Sequence, residues 1–325
     1  MKSASTFFAS ALGLLTVGKL FAQPAPQFTN TQRLANQEVR FSLSITTNTS
    51  YRVEVSSNLL DWQPIVTWRG QGMNQHTDSA APYFETRYYR AQQLTTTTDL
   101  TGDHLSTTNG DIVIHPLYHA SFLMSWNGKV IYSDPDDDGQ YASRYTGMPK
   151  ADLILITHSH GDHYSVSQIN AVRGSNAVVV VPQSVYDRSD FAALRSMSIP
   201  LAYGATTNVA GIGIQAVIGT NGNHTLGVNN CYVLTLADKR IFISGDTGNT
   251  ADIRALSNID VAFVCMNQPF TMTTSEATNC VRAFGPRIVY PYHYRNQDGS
   301  TANAATFKQQ LGTNTGIEVR LRSWY

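Results

Sequence analysis

Two kinds of hydrophobic pattern divide the chain. Across residues 33–93 apolar and polar positions alternate with a period of two, as in Val39-Arg40-Phe41-Ser42-Leu43-Ser44-Ile45 and Tyr51-Arg52-Val53-Glu54-Val55. That period predicts strands with one buried face. Thr47-Asn48-Thr49-Ser50, Ser56-Ser57-Asn58 and Gly70-Gln71-Gly72 mark turns, and Thr86-Arg87-Tyr88-Tyr89-Arg90-Ala91 reads as the last strand. Beyond Leu100 short continuous apolar runs take over. Asp152-Leu153-Ile154-Leu155-Ile156, Ala177-Val178-Val179-Val180-Val181, Arg240-Ile241-Phe242-Ile243-Ser244, Asp260-Val261-Ala262-Phe263-Val264 and Arg287-Ile288-Val289-Tyr290-Pro291 each read as a buried strand. Helices are expected at residues 182–194, 251–257 and 274–284, the last stopped by Gly285-Pro286. Asn127-Gly128, between two apolar runs, predicts a tight hairpin.

This pattern sets the expected domains: an all-β module at 25–95, a linker at 96–103 around the Thr95-Thr96-Thr97-Thr98-Asp99 run, and an α/β domain at 104–325. A length of 325 residues fits two domains. The first residues read as an export signal. Lys2 is followed by an apolar run at 7–18, and Ala22 is a plausible last residue before cleavage. The run is short for a bilayer, so the expectation is an exported protein, periplasmic or secreted, with no membrane span after cleavage.

Charge narrows the partners. Lys+Arg and Asp+Glu both number 23, and no basic stripe is present, which argues against nucleic acid. The three cysteines are an odd number without framework spacing. They are expected as buried thiols, with a Cys265–Cys280 bridge as the alternative.

The chemistry gathers in Thr157-His158-Ser159-His160-Gly161-Asp162-His163, directly after a buried strand. Imidazole and carboxylate are the ligands that zinc-like cations prefer. His158 and His160, two apart, can share one metal, while Asp162 and His163 turn toward a second, with Gly161 letting the backbone bend. Two further strands run into Gly245-Asp246-Thr247 and His293, and His224 lies in a loop between strands. Asp134-Pro135-Asp136-Asp137-Asp138-Gly139 is expected as a solvated loop from which Asp134 supports a metal ligand. His115 reads as structural, and His76 and His104 as surface residues.

With these motifs, residues 104–325 resemble the metallo-β-lactamase superfamily of metal-dependent hydrolases. The resemblance implies a four-layer αββα sandwich with a two-metal site at one edge. Carried over residue by residue, His158, His160 and His224 would hold one metal. Asp162, His163 and His293 would hold the other, and Asp246 would bridge both. The run Ile114-His115-Pro116-Leu117-Tyr118-His119-Ala120-Ser121-Phe122-Leu123, with Asp134-Pro135 after it, resembles the branch that includes ascorbate-6-phosphate lactonase and N-acyl-phosphatidylethanolamine phospholipase D. β-Lactamases proper usually carry Cys or Ser where Asp246 stands, and the diiron oxygen-reducing members carry Glu where His160 stands.

The resemblance therefore implies hydrolysis of a small ester, lactone or phosphodiester by a metal-activated hydroxide. Asp162 would orient the hydroxide, and His119 or Tyr294 would act as proton donor or oxyanion contact. The ions are expected to be zinc, with manganese or iron compatible with the same ligands. β-Lactam hydrolysis is an alternative. So is a glycan- or wall-binding protein with a structural metal, because the string from Tyr51 to Trp62, closing with Tyr88-Tyr89-Arg90, resembles a small β-sandwich module of exported bacterial proteins. Trp62 and Trp68 would then be its glycan contacts, or else core.

Overall fold

The computed structural model describes residues 26–94 and 100–325, in two compact units that meet in sequence at Ser106/Thr107. The expected export signal and the first part of the expected linker lie outside the described residues. No helix among the described residues is long and apolar enough to cross a membrane.

The first unit is all β: β1 (Gln27–Arg33), β2 (Val39–Ser56), β3 (Gln63–Asp78), β4 (Tyr88–Leu94) and β5 (Gly102–Thr107). β2 and β3 form one long antiparallel hairpin. β1 pairs with the first half of β2 and β4 with the second half. The period-two residues Phe41, Leu43, Val53, Val55 and Tyr89 share one core, and Phe41 lies 5.3 Å from Tyr89 and 6.2 Å from Trp68, centroid to centroid.

Three expectations change here. The turns expected at 47–50 and 70–72 run through as strand, because a shift in register between Ile45 and Thr49 absorbs the irregular residues. His76 is buried against Phe41 and Trp68 rather than exposed. The second half of the expected linker is also ordered, since Gly102 and Asp103 pair with Thr67 and Val66. Trp68 packs against the core, while Trp62 lies under the guanidinium of Arg90.

The second unit has two mixed sheets built to the same plan. In the first, β6 (Gly110–Tyr118), β7 (Ser121–Trp126) and β8 (Lys129–Ser133) run antiparallel. Parallel strands β9 (Ala151–Leu155), β10 (Arg173–Val181) and β11 (Ser198–Pro200) follow. In the second, β12 (Thr206–Val209), β13 (Ile212–Gly219), β14 (Asn229–Leu236) and β15 (Lys239–Ile243) run antiparallel, then β16 (Val261–Cys265), β17 (Ile288–Tyr292) and β18 (Glu318–Val319) continue in parallel. The sheets face each other through Phe122 of β7 and Phe263 of β16, stacked 4.0 Å apart.

The helices are few and short: α1 (Val166–Val172), α2 (Gln183–Tyr186), α3 (Ala251–Arg254), α4 (Thr274–Phe284) and α5 (Ala304–Leu311). Phe284 of α4 meets Phe242 of β15, so α4 covers the far face of the second sheet. Two facing sheets with helices outside them make the layered sandwich expected from the sequence. α4 starts at a capping box between Thr273 and Glu276 and ends at Gly285, whose φ is 55°. The helix expected at 182–194 breaks up. After one turn Arg188 pairs with Asp190, and Arg195 donates to the carbonyls of Tyr186 and Arg188, replacing helical bonds with side-chain ones. Asn127 and Gly128 form the expected hairpin turn, with φ of 48° and 72°. Cys231, Cys265 and Cys280 are buried free thiols, so no Cys265–Cys280 bridge is present.

The contact between the two sheets is the seam of this unit. Phe122→Ala is expected to lower its unfolding free energy by about 3–5 kcal/mol, read as a shift in urea midpoint at unchanged slope.

Candidate metal centre

Three strand ends and one loop supply the ligand-type side chains. β9 delivers the 158–163 loop, the β13–β14 connection carries His224, β15 runs into Asp246, and β17 runs into His293. Ligand sites in α/β folds gather where strands end at their carboxyl edge. The turn after β9 closes when the His160 carbonyl accepts from the amides of His163 and Tyr164. Gly161 is not needed for this bend, because a Cβ there would meet open space. Gly245 is the constrained glycine. Its φ is 50°, and a Cβ there would sit 2.6 Å from Asn229 Oδ1 and 2.7 Å from Thr157 Cβ.

The seven side chains form two adjoining groups. In one, His160 Nδ1 and His224 Nε2 lie 3.2 Å apart and His158 completes a triangle of ligand atoms within 4.8 Å. In the other, His163 Nε2 and His293 Nε2 face each other at 2.8 Å. Asp246 Oδ1 stands 3.3 Å from both of these nitrogens, and Asp162 Oδ2 stands 3.3 Å from that of His293. The other oxygen of Asp246 is 3.8 Å from His224 Nε2, so its carboxylate spans both groups.

Three of the rings are oriented from behind. Asp134 Oδ2 lies 2.9 Å from His163 Nδ1, and the same carboxylate accepts the amide and hydroxyl of Thr157, both at 2.7 Å. Thr157 Oγ1 has spent its proton on Asp134, so at 3.1 Å it accepts from His158 Nδ1. Asn221 Oδ1 accepts from His224 Nδ1 at 3.0 Å. In their neutral form all three rings thus turn an unprotonated Nε2 toward the centre, the arrangement that outer contacts impose on metal-binding histidines. His158 Nε2 and Asp246 Oδ1 are buried without a hydrogen-bond partner. Buried orphan groups of this kind cost about 1–3 kcal/mol each, which a cation would offset. The donor set therefore fits a His/Asp metal centre.

The supporting residues are uneven in how they announce themselves. Asp134 behaves as the sequence suggests, although its loop is buried through Asp136 rather than solvated. Burial raises the Asp136 carboxyl to about 6. Thr157 and Asn221 lie beside ligands in sequence, so proximity could have flagged them. Tyr325 lies 2.8 Å from His119 Nδ1 but 206 residues away, and nothing in the sequence links the two. His119 sits 3.2 Å from Asp162 Oδ2. Tyr294, beside His293 in sequence, turns its ring edge-on to Tyr325 and its hydroxyl to the main chain of Trp324.

Three of these non-glycine residues hold left-handed backbone: His119 (φ 53°), Asp134 (φ 42°) and His293 (φ 46°). Such conformations cost about 1–3 kcal/mol each and persist where surrounding structure imposes them. Here the His119 carbonyl accepts the His293 amide, and the Asp134 amide donates to Leu155 of β9.

Electrostatics divides the rings. Burial holds His158 and His224 below the usual histidine range and brings His119 down to about 4. Burial also opposes charge on His163, but Asp246, Asp162 and Asp134 outweigh it and raise its pKa well above 6.5. Burial likewise works against ionised Asp162 and Asp246. The neighbouring imidazoles prevail and hold both carboxyls well below their ordinary range.

Residues 114–293 match the family model described as a beta-lactamase superfamily domain. A UPF0173 metal-dependent hydrolase of Pelotomaculum thermopropionicum is 31% identical over 222 residues, covering 64% of this chain and 95% of the relative. A solved structure described as a metal-dependent hydrolase of Parabacteroides distasonis aligns with 35% identity and a TM-score of 0.59, covering 68% of this chain and 97% of that one. The metallo hydrolase Igni18 of Ignicoccus hospitalis shares the fold at 23% identity and a TM-score of 0.58, over 65% and 95% of the two chains.

Two outcomes follow from the geometry. Gly245→Ala should displace Asp246 and weaken metal retention while leaving the far-ultraviolet circular dichroism unchanged; full retention would show that the 245–246 turn can relax. In the metal-free protein the carboxylates of Asp246, Asp162 and Asp134 raise the His163 pKa well above the ordinary histidine value, so the ring keeps its second proton to higher pH than a free imidazole. A cation must displace that proton, so binding should release it and tighten as pH rises. Zinc calorimetry in buffers of different ionisation enthalpy counts the protons released.

Proposed function

The chain belongs to the metallo-β-lactamase superfamily of metal-dependent hydrolases, and from that premise we propose that it is an exported enzyme that holds two divalent cations and cleaves a small phosphodiester, lactone or ester. One observation carries the two-cation reading. Two pairs of imidazole nitrogens face each other at 2.8 and 3.2 Å across a space into which one carboxylate reaches from the middle. Lone pairs opposed at that distance repel unless a cation or proton sits between them. Asp246 has one oxygen for each side.

His163, His293, Asp162 and Asp246 would hold one ion, and His158, His160, His224 and Asp246 the other. The mixture of imidazole and carboxylate suits zinc first, and manganese or iron as well. Bound there, such ions supply Lewis acidity and lower the pKa of water to about 7. Asp162 is half-buried at the mouth of the centre, where its carboxylate can orient the attacking water and take its proton. Arg295 follows two residues after His293, donates to the Tyr118 hydroxyl at 2.8 Å and stacks over Tyr325. A guanidinium in that position favours a substrate with an anionic group, which ranks phosphodiesters above neutral lactones and β-lactams. Export is supported by Lys2 and the apolar run before Ala22.

Chelation should abolish turnover, and Zn²⁺ or Mn²⁺ should restore it. A panel of chromogenic phosphodiester, lactone, ester and cephalosporin substrates tests the ranking, with Arg295→Met expected to raise KM for the phosphodiester selectively. Purified protein that repeatedly carries less than one equivalent of divalent metal would refute the metal reading. Cephalosporin turnover above the phosphodiester rate would overturn the substrate ranking.

A further inference from the structure

His119 Nε2, Asp162 Oδ2 and a His293 nitrogen lie within 4.8 Å of one another, so by distance alone His119 is an eighth candidate ligand. Hydrogen-bond accounting at Tyr325 argues otherwise. The Tyr325 hydroxyl oxygen accepts the backbone amides of Tyr294, at 3.0 Å, and Arg295, at 2.9 Å. A phenol oxygen offers two lone pairs and one proton. Both lone pairs are thereby occupied. The third contact of this oxygen is His119 Nδ1 at 2.8 Å, and only the phenol proton remains to make it.

We propose that Tyr325 is a positioning residue that donates its hydroxyl proton to His119 Nδ1 and so fixes His119 with its own proton on Nε2, where it holds the Asp162 carboxylate and cannot bind metal. A His119 that carried a proton on Nδ1 would confront an oxygen with no lone pair left to accept it. Protonated Nε2 points at Asp162 Oδ2, 3.2 Å away. The clamp is itself well held. Arg295 lies over the Tyr325 ring at 4.3 Å, and Tyr118 and Tyr294 meet it edge-on at 5.7 and 5.0 Å. The His119 amide donates to the carbonyl of Trp324, which is wholly buried. Tyr325 thus acts on the centre through two side chains, and three backbone segments distant in sequence meet at one oxygen.

That Asp162 is a ligand rests on the function proposed above; the tautomer of His119 does not. Long-range ¹H–¹⁵N correlation on the full chain labelled with ¹⁵N-histidine reads the tautomer directly, with His119→Gln identifying the signals. The expected result is a protonated Nε2 and an unprotonated Nδ1, unchanged when Zn²⁺ is added. A proton on Nδ1, or a metal-induced shift at Nε2 of His119, would overturn the proposal. In Tyr325→Phe the tautomer preference should be lost, and the weaker of two Zn²⁺ binding events should weaken about 10–100-fold while the tighter one holds. His119→Gln, which keeps an N–H donor, should retain most of the second event, whereas His119→Leu should not. Equal loss in both would make His119 a ligand and sink the idea. Wild-type protein that binds one Zn²⁺ would refute the two-cation function, yet the tautomer would still be decided by the spectrum.

Discussion

The centre depends on imidazole lone pairs being held against one another. Left to themselves, His163 and His293 would turn apart or share a proton. They stay because the His163 ring and the His293 backbone are each fixed from outside. Asp134 takes the Nδ1 proton of His163, and the left-handed backbone of His293 is tied to His119 on one side and to Met266 on the other. The protein commits several unfavourable local conformations and the buried orphan atoms of His158, Asp246 and His293 to one small volume. That concentration of cost marks a place where a ligand completes the structure.

The fold explains why the cost is bearable. Two sheets of the same plan, each an antiparallel meander continued by parallel strands, pack through Phe122 and Phe263 and bring their strand ends to a common edge. The strands are stiff and buried, so the loops that leave them start from fixed points. Tyr232 donates to the carbonyl of Ile156, and the Asn230 amide donates to Thr157, which ties the second sheet to the root of the 158–163 loop. The ligand positions are therefore set by sheet packing rather than by the loops themselves.

The same geometry separates roles that residue type alone leaves merged. His119 is as close to Asp162 and His293 as a ligand would be, and only the count of donors and acceptors at Tyr325 distinguishes a holder from a binder. Asp246 and Asp162 are both carboxylates among imidazoles. Asp246 is buried between both groups, and Asp162 stands at the mouth, so the first spans and the second can exchange with solvent.

By itself the sequence determined most of the strands, the two-part organisation and the positions of all seven ligand-type residues. Those features are local. A continuous apolar run must be buried, an alternating one must be half-buried, and histidines placed at the ends of buried strands have little other use. Tertiary structure alone decided the rest, because it depends on atoms brought together across long stretches of chain. It showed that Gly245 rather than Gly161 is the tight glycine, since only the neighbouring Asn229 and Thr157 make it so. It drew His76 into the core of the first unit and broke the helix expected after Val181, where side-chain bonds displaced backbone ones. It also brought Tyr325 to His119, a contact no periodicity or spacing encodes, because hydrogen bonds are set by position in space and not by order along the chain.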